Sequence, residues 1–251
     1  MKKVILFFIL FLSIVQAREM GQPEITTEEG IEVYQKEKYY LLKKNVIINS
    51  DNFSLSADQV KAYFNKDLYD IINIYSKGNV ILESNTDTKI LGNEVEYDVI
   101  KEEIKITGIK SFLRNKEFTM SSDESIYLNN TNGKFEIYGP NSKLITEDIK
   151  ITGKDIKGSF SDFNGNKEVN ILDVEDEVQV SIITETSNMF AKKAKYSKQK
   201  NLIELFENVI INRNNESIIG DYAKINTLDE SYFVKTNESK RVKVILEKSD
   251  D

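Results

Sequence analysis

The chain has 251 residues with no Cys and no His, which excludes disulfides, thiolate or imidazole metal sites, and Ser-His or Cys-His catalysis. Its 34 basic and 41 acidic residues leave a net charge of −7, which disfavours nucleic acid, whose affinity rests largely on basic contacts to phosphate. With 40% hydrophobic residues, 11 Gly and 2 Pro, the composition is that of a chain able to bury a core, not of a Pro-rich or disordered one.

In chain order, the first element is a targeting segment. Lys2 and Lys3 precede an apolar run, residues 4–15, interrupted only by Ser13. Val15-Gln16-Ala17 then sets small residues at −3 and −1 of a cleavage site before Arg18, so residues 1–17 read as a signal peptide. The apolar run falls short of the about 20 residues that span a bilayer. An uncleaved anchor extended through Ala17 is the alternative. With no Cys there is no lipoprotein attachment. Without Lys2 and Lys3, 32 basic residues face 41 acidic ones, a mature charge of −9 that also disfavours adsorption to anionic membranes.

The rest of the chain repeats one short phrase. "LLKKNVIINSD" (41–51), "INIYSKGNVILES" (72–84) and "IELFENVIINR" (203–213) repeat one pattern: in the second, Ile72 and Ile74 are apolar, the chain turns at Gly78-Asn79, and Val80 and Leu82 are apolar again. A second block follows: "ADQVKA" from Ala57, "GNEVEY" from Gly92, "SDESIY" from Ser122, "GKDIKG" from Gly153, "AKKAKY" from Ala191 and "GDYAKI" from Gly220. These starts are 35, 30, 31, 38 and 29 residues apart. The turn positions ahead of them, taken as Val46, Val80, Ile109, Pro140, Val178 and Val209, precede them by 11, 12, 13, 13, 13 and 11 residues. Six copies at near-constant offsets signal a repeat architecture. The third and fourth are degenerate, with "TGIK" and "YGPN" in place of the Asn-Val pair.

Within each copy the apolar period is two. Val46 alternates with Ile48, Phe135 with Ile137, and Val178 with Val180 and Ile182. Strict alternation with Ile, Val, Tyr, Phe and Thr marks half-buried strands. Asn132-Gly133 and Asn164-Gly165 sit between such runs as hairpin signals. No helical stripe follows residue 17. The reading is therefore all-β: one elongated domain over residues 24–246, in about six copies whose apolar faces stack into a shared interior, with a disordered tail at 247–251.

The I-x-I-x-x-x-G-N-V-x-L phrase at 72–82, the A-D-x-V-x-A/Y block and the signal peptide resemble the OstA-like family of periplasmic lipopolysaccharide-export proteins, whose soluble bridge is LptA. Residues 25–64 carry the pattern best, and "RVKVIL" (241–246) resembles the last strand of that group. The resemblance implies an open, twisted β-jelly roll through which the acyl chains of lipid A slide, with no catalytic residues, metal or cofactor. It further implies edge-to-edge pairing with LptC-like and LptD-like OstA domains or with further copies of the chain. The matching inward positions are Val46, Ile48, Val80, Leu82, Val178, Val180, Val209 and Ile211, a candidate acyl groove. Ile31 and Val33 near one end, and Val242, Val244 and Leu246 near the other, are the candidate joining edges. Two departures stand out: six copies exceed what one bridge domain needs, and no basic cluster offers a clamp for a headgroup phosphate.

Several features have plainer readings. The "DVEDE" run, 173–177, offers oxygen ligands but matches no calcium loop, and reads as a solvated turn. The tyrosines Tyr97, Tyr127 and Tyr196 could line a sugar site, or simply pack across neighbouring strands. Besides the bridge, three other functions fit: a membrane-anchored LptC-like adaptor, a structural or adhesive β-solenoid with a closed core, and an enzyme on a β-helix. The enzyme lacks the clustered carboxylates such chemistry needs.

Overall fold

Alternating sequence gives each segment one apolar face, and that face is buried only when neighbouring segments stack. The computed structural model describes residues 24–66, 70–85, 87–163, 166–213, 216–237 and 241–246. The signal peptide expected at 1–17, the hairpin turn expected at Asn164-Gly165 and the tail expected at 247–251 lie outside the described residues.

The chain enters on β1 (Glu24–Thr26) and β2 (Ile31–Tyr34), then runs through β3 (Tyr39–Asn49), β4 (Phe53–Phe64), β5 (Ile71–Ser84) and β6 (Lys89–Asp98). Shorter pieces follow: β7 (Glu103–Thr107), β8 (Ser111–Arg114), β9 (Phe118–Ser122), β10 (Ser125–Asn129), β11 (Lys134–Tyr138), β12 (Lys143–Thr146), β13 (Lys150–Thr152) and β14 (Asp155–Phe163). Long strands return with β15 (Asn166–Ile183), β16 (Ser187–Ser197), β17 (Leu202–Arg213) and β18 (Glu216–Asn226), before β19 (Tyr232–Lys235) and β20 (Lys243–Leu246).

The pairings resolve these pieces into a simple order. β6 pairs with β7 along residues 94–98 and with β8 along residues 89–91, so β7 and β8 are the two halves of one bent strand. The same holds for β1 with β2, β9 with β10, β11 with β12, β13 with β14, and β19 with β20. Eight continuous strands and six such pairs make fourteen bent strands, each antiparallel to its neighbours in sequence. At about 4.8 Å per strand the stack is roughly 60 Å long.

Because every strand bends, the stack forms two sheets joined along a line of corners. The first sheet holds β2, β7, β10, β11, β14 and β19, the second β1, β8, β9, β12, β13 and β20; the long strands give one arm to each. Inward side chains of both sheets form one core that includes Leu42, Leu55, Ile106, Leu113, Ile137, Leu144, Val174 and Leu205. The all-β class expected from the sequence, an elongated jelly roll of stacked antiparallel strands, is the one observed.

Candidate functional site

The repeated phrase is a corner. It does not reverse the chain, as the Asn-Gly turn at Asn132-Gly133 does. In β5, Gly78 and Asn79 take φ of 77° and 48°; in β3, Lys44 and Asn45 take 63° and 49°; in β17, Glu207 and Asn208 take 61° and 54°. Two successive left-handed residues break the ladder, leave one residue of the partner strand unpaired, and bend the strand while both arms continue. Asn suits such positions because its short polar side chain tolerates the left-handed region.

The second block builds the facing corner. Val46, Val80, Val180 and Val209 stand directly opposite Ala57, Gly92, Ala191 and Gly220. The small residue is dictated by the next strand: a Cβ on Gly92 would lie 2.6 Å from Ile106 Cγ2, and one on Gly220 would lie 2.5 Å from Val234 Cγ1. The residue after it ties down a neighbouring corner. Asn79 Nδ2 donates to Asp58 Oδ2 at 3.1 Å, Asn141 Nδ2 to Asp123 Oδ2 at 2.6 Å, and the Asn237 amide to Asp221 at 3.1 Å.

The third and fourth copies follow the same plan with other residues. Gly108 and Lys110, then Gly139 and Asn141, supply the left-handed corner. Ser111 and Ser142 replace the valine, both buried, with Ser111 Oγ donating to Gly108 O at 2.7 Å and Ser142 Oγ to Gly139 O at 2.8 Å. Counted from these serines, the small residues Ser122 and Gly153 again lie 11 positions on.

One candidate groove residue is misplaced. Val178 is 84% exposed, whereas Val180 is 1% exposed. This corner carries four residues, Asp176 to Gln179, between the paired Glu175 and Val180, two more than its counterparts. The Asp176 carboxylate accepts from the Val178 and Gln179 amides at 2.7 and 3.1 Å and holds the bulge outward. Two-residue periodicity fails across such an insertion, and Val180 is the counterpart of Val46, Val80 and Val209. The rest of the acidic run is paired at the surface, Glu177 with Lys154 at 3.0 Å and Asp173 with Lys195 at 3.4 Å.

The other candidates line the space between the sheets. Val46, Ile48, Val80, Val180, Val209 and Ile211 are buried, and Leu82 is half-buried against the same core. They are packed against their neighbours. A cavity of about 290 Å³, bordered by Ile210, Ile219 and Arg241, and a smaller one beside Tyr75 and Lys105 both open on outer faces. Aliphatic side chains in this arrangement can hold a hydrocarbon chain only if the sheets part.

The ends differ from the middle. β2, with Ile31 and Val33 exposed, pairs with β3 and with no other described strand. β20, with Val244 and Leu246 exposed, pairs with β18 alone among the described strands. Val242, also exposed, stands just ahead of β20, which begins at Lys243. Tyr232 and Phe233 add to the apolar surface at this end.

Outer-face polar groups serve the ladder. Burial and a 2.6 Å hydrogen bond to Glu204 push the Tyr222 hydroxyl up to about 12. Tyr127 donates to Glu103 at 2.9 Å across β7 and β10, whereas Tyr97 and Tyr196 have their hydroxyls pushed up by burial. Tyr97 and Tyr127 flank β7, opposite Ile104 and Lys105, whereas Tyr196 lies on β16, so the three do not form one cluster.

No family model matches the chain, and no curated protein does. Among solved structures 17 chains match. One is the crystal structure of LptH from Pseudomonas aeruginosa, described as the LptA-homologous periplasmic component of the lipopolysaccharide transport device. The match has 8% identity and a TM-score of 0.23 over 91% of this chain and 96% of that one. A likeness of that size carries no functional inference.

Proposed function

We propose that the chain is a periplasmic lipid-transfer component that shelters lipopolysaccharide acyl chains between its two sheets, in the manner of the LptA-type bridge its sequence resembles. The observation that supports this is the combination of a continuous aliphatic interior with two terminal strands that keep exposed apolar side chains and an outer edge to which no described strand pairs. An apolar slot needs no catalytic group to retain a lipid tail, since each Å² of apolar surface removed from water is worth about 25 cal/mol. Exposed edge strands, otherwise an aggregation hazard, suit main-chain pairing with LptC-like or LptD-like OstA domains or with a second copy. The sheets part at the side opposite the corners when a tail enters.

The closed packing of Val46, Val80 and Val209 favours a second reading, a structural β-solenoid with a dry core. Binding of a fluorescent fatty-acyl probe to the purified protein separates the two. Saturable binding that lipopolysaccharide displaces supports transfer; no binding supports the solenoid. N-terminal sequencing tells bridge from anchored adaptor, since a mature chain starting at Arg18 has lost the apolar segment.

A further inference from the structure

Opposite the corners, the free ends of the two sheets face each other across a mouth. This mouth is bridged by polar contacts near the C-terminal end, where Arg213 of β17 pairs with Glu230 and the Tyr232 hydroxyl donates to Glu216 at 3.1 Å, and by an aromatic contact at mid-length. Phe118, the first residue of β9 in the second sheet, stacks on Phe160 of β14 in the first sheet, with ring centroids 4.6 Å apart and planes 15° from parallel. Phe135 of β11 packs on the same ring at 4.7 Å. All three rings are buried. Beside them the Lys167 amide donates to Glu117 Oε1 at 3.3 Å, again from one sheet to the other.

The backbone is shaped to admit this cluster. Gly158 stands directly opposite Phe135, and a Cβ there would lie 2.6 Å from the Phe135 ring. Gly133 has φ of 71°, with its carbonyl accepting from the Phe160 amide at 3.0 Å, and a Cβ on it would meet the Phe160 carbonyl oxygen at 2.5 Å. The register shift between Ser159 and Phe160 leaves Asn170 of β15 with no opposite residue on β14. Two glycines and a bulge thus converge on one aromatic contact.

The geometry points to the Phe118–Phe135–Phe160 cluster as a gate in the lipid path. This rests on the proposal that acyl tails occupy the interior. An amphiphile with its tails between the sheets keeps its polar head outside, and the link between the two runs through the mouth. Any contact joining the sheets across the mouth therefore blocks movement along the stack until it opens. The cluster stands at the seventh to ninth of the fourteen bent strands, with Val80 on one side and Val209 on the other. It separates the stretch that holds Val80 from the stretch that holds Val209, and passage between them requires the Phe118–Phe160 stack to separate.

The test locks the gate from outside the core. The chain contains no cysteine, so Glu117→Cys with Lys167→Cys gives one thiol pair that a reductant-cleavable crosslinker joins across the mouth. A photoreactive residue at position 80 or 209 reports lipid on either side in exporting cells. The expected result is that locking leaves lipopolysaccharide capture at one position and lowers it at least ten-fold at the other, with recovery on reduction. Phe118→Ala is expected to raise capture on the far side. Undiminished capture at both positions in the locked chain overturns the gate and leaves lipid transfer standing. No capture at either position in the unlocked chain overturns both.

Discussion

Val178 and Val180 are the same residue type two positions apart on one strand, so replacing each with Ala isolates what the corner does. Val180 is 1% exposed and Val178 84% exposed. Removing two buried methyl groups costs about 0.8 kcal/mol each in transfer, and the cavity left behind brings Val180→Ala to roughly 2–3 kcal/mol. Val178→Ala removes methyl groups already in water and stays within about 0.5 kcal/mol. In urea, with a slope of roughly 2 kcal/mol per molar, Val180→Ala lowers the midpoint by roughly 1 M and Val178→Ala leaves it in place. Equal midpoint shifts, or a larger one for Val178→Ala, would refute the four-residue corner and restore an uninterrupted alternation.

Gly92→Ala sets a methyl 2.6 Å from Ile106 Cγ2, and overpacking of this kind costs roughly 1–3 kcal/mol in the same urea assay. Tyr222→Phe tests alkaline stability. The fold raises this hydroxyl from 10.0 to about 12 and so favours its protonated form. That stabilisation is complete below pH 10 and is lost as the pH rises through 10 to about 12, so wild type loses stability over that window more steeply than Tyr222→Phe does. A chain truncated after Lys240 lacks β20 and its exposed Val244 and Leu246. It is expected to fold and to lose end-to-end association in analytical ultracentrifugation, and unchanged association would remove β20 as a joining edge.

The strands were legible because period two survives within each arm: Val46 with Ile48, and Val209 with Ile211, read inward and are inward. The corners were legible as a repeat but not as corners, because Gly78-Asn79 looks like a hairpin turn until the pairing shows both arms running on. Alternation places Val178 inward because the inserted pair in its corner carries a valine at the expected parity, and only the partner strand reveals which valine pairs with Ala191. Ser111 and Ser142 carry no hydrophobic signal, because a serine that donates to its own corner carbonyl fills a valine's place. The spacing of 11 residues to Ser122 and Gly153 was the available signal. The Phe118–Phe160 stack joins residues 42 positions apart from opposite sheets, and nothing in local alternation predicts it.

The most direct measurement places a photoreactive residue at Val80, which faces the interior, and separately at Ile81, which faces out on the same strand. If tails travel between the sheets, irradiation of exporting cells traps lipopolysaccharide from position 80 and not from position 81. Capture from neither position, or equally from both, would contradict an interior path.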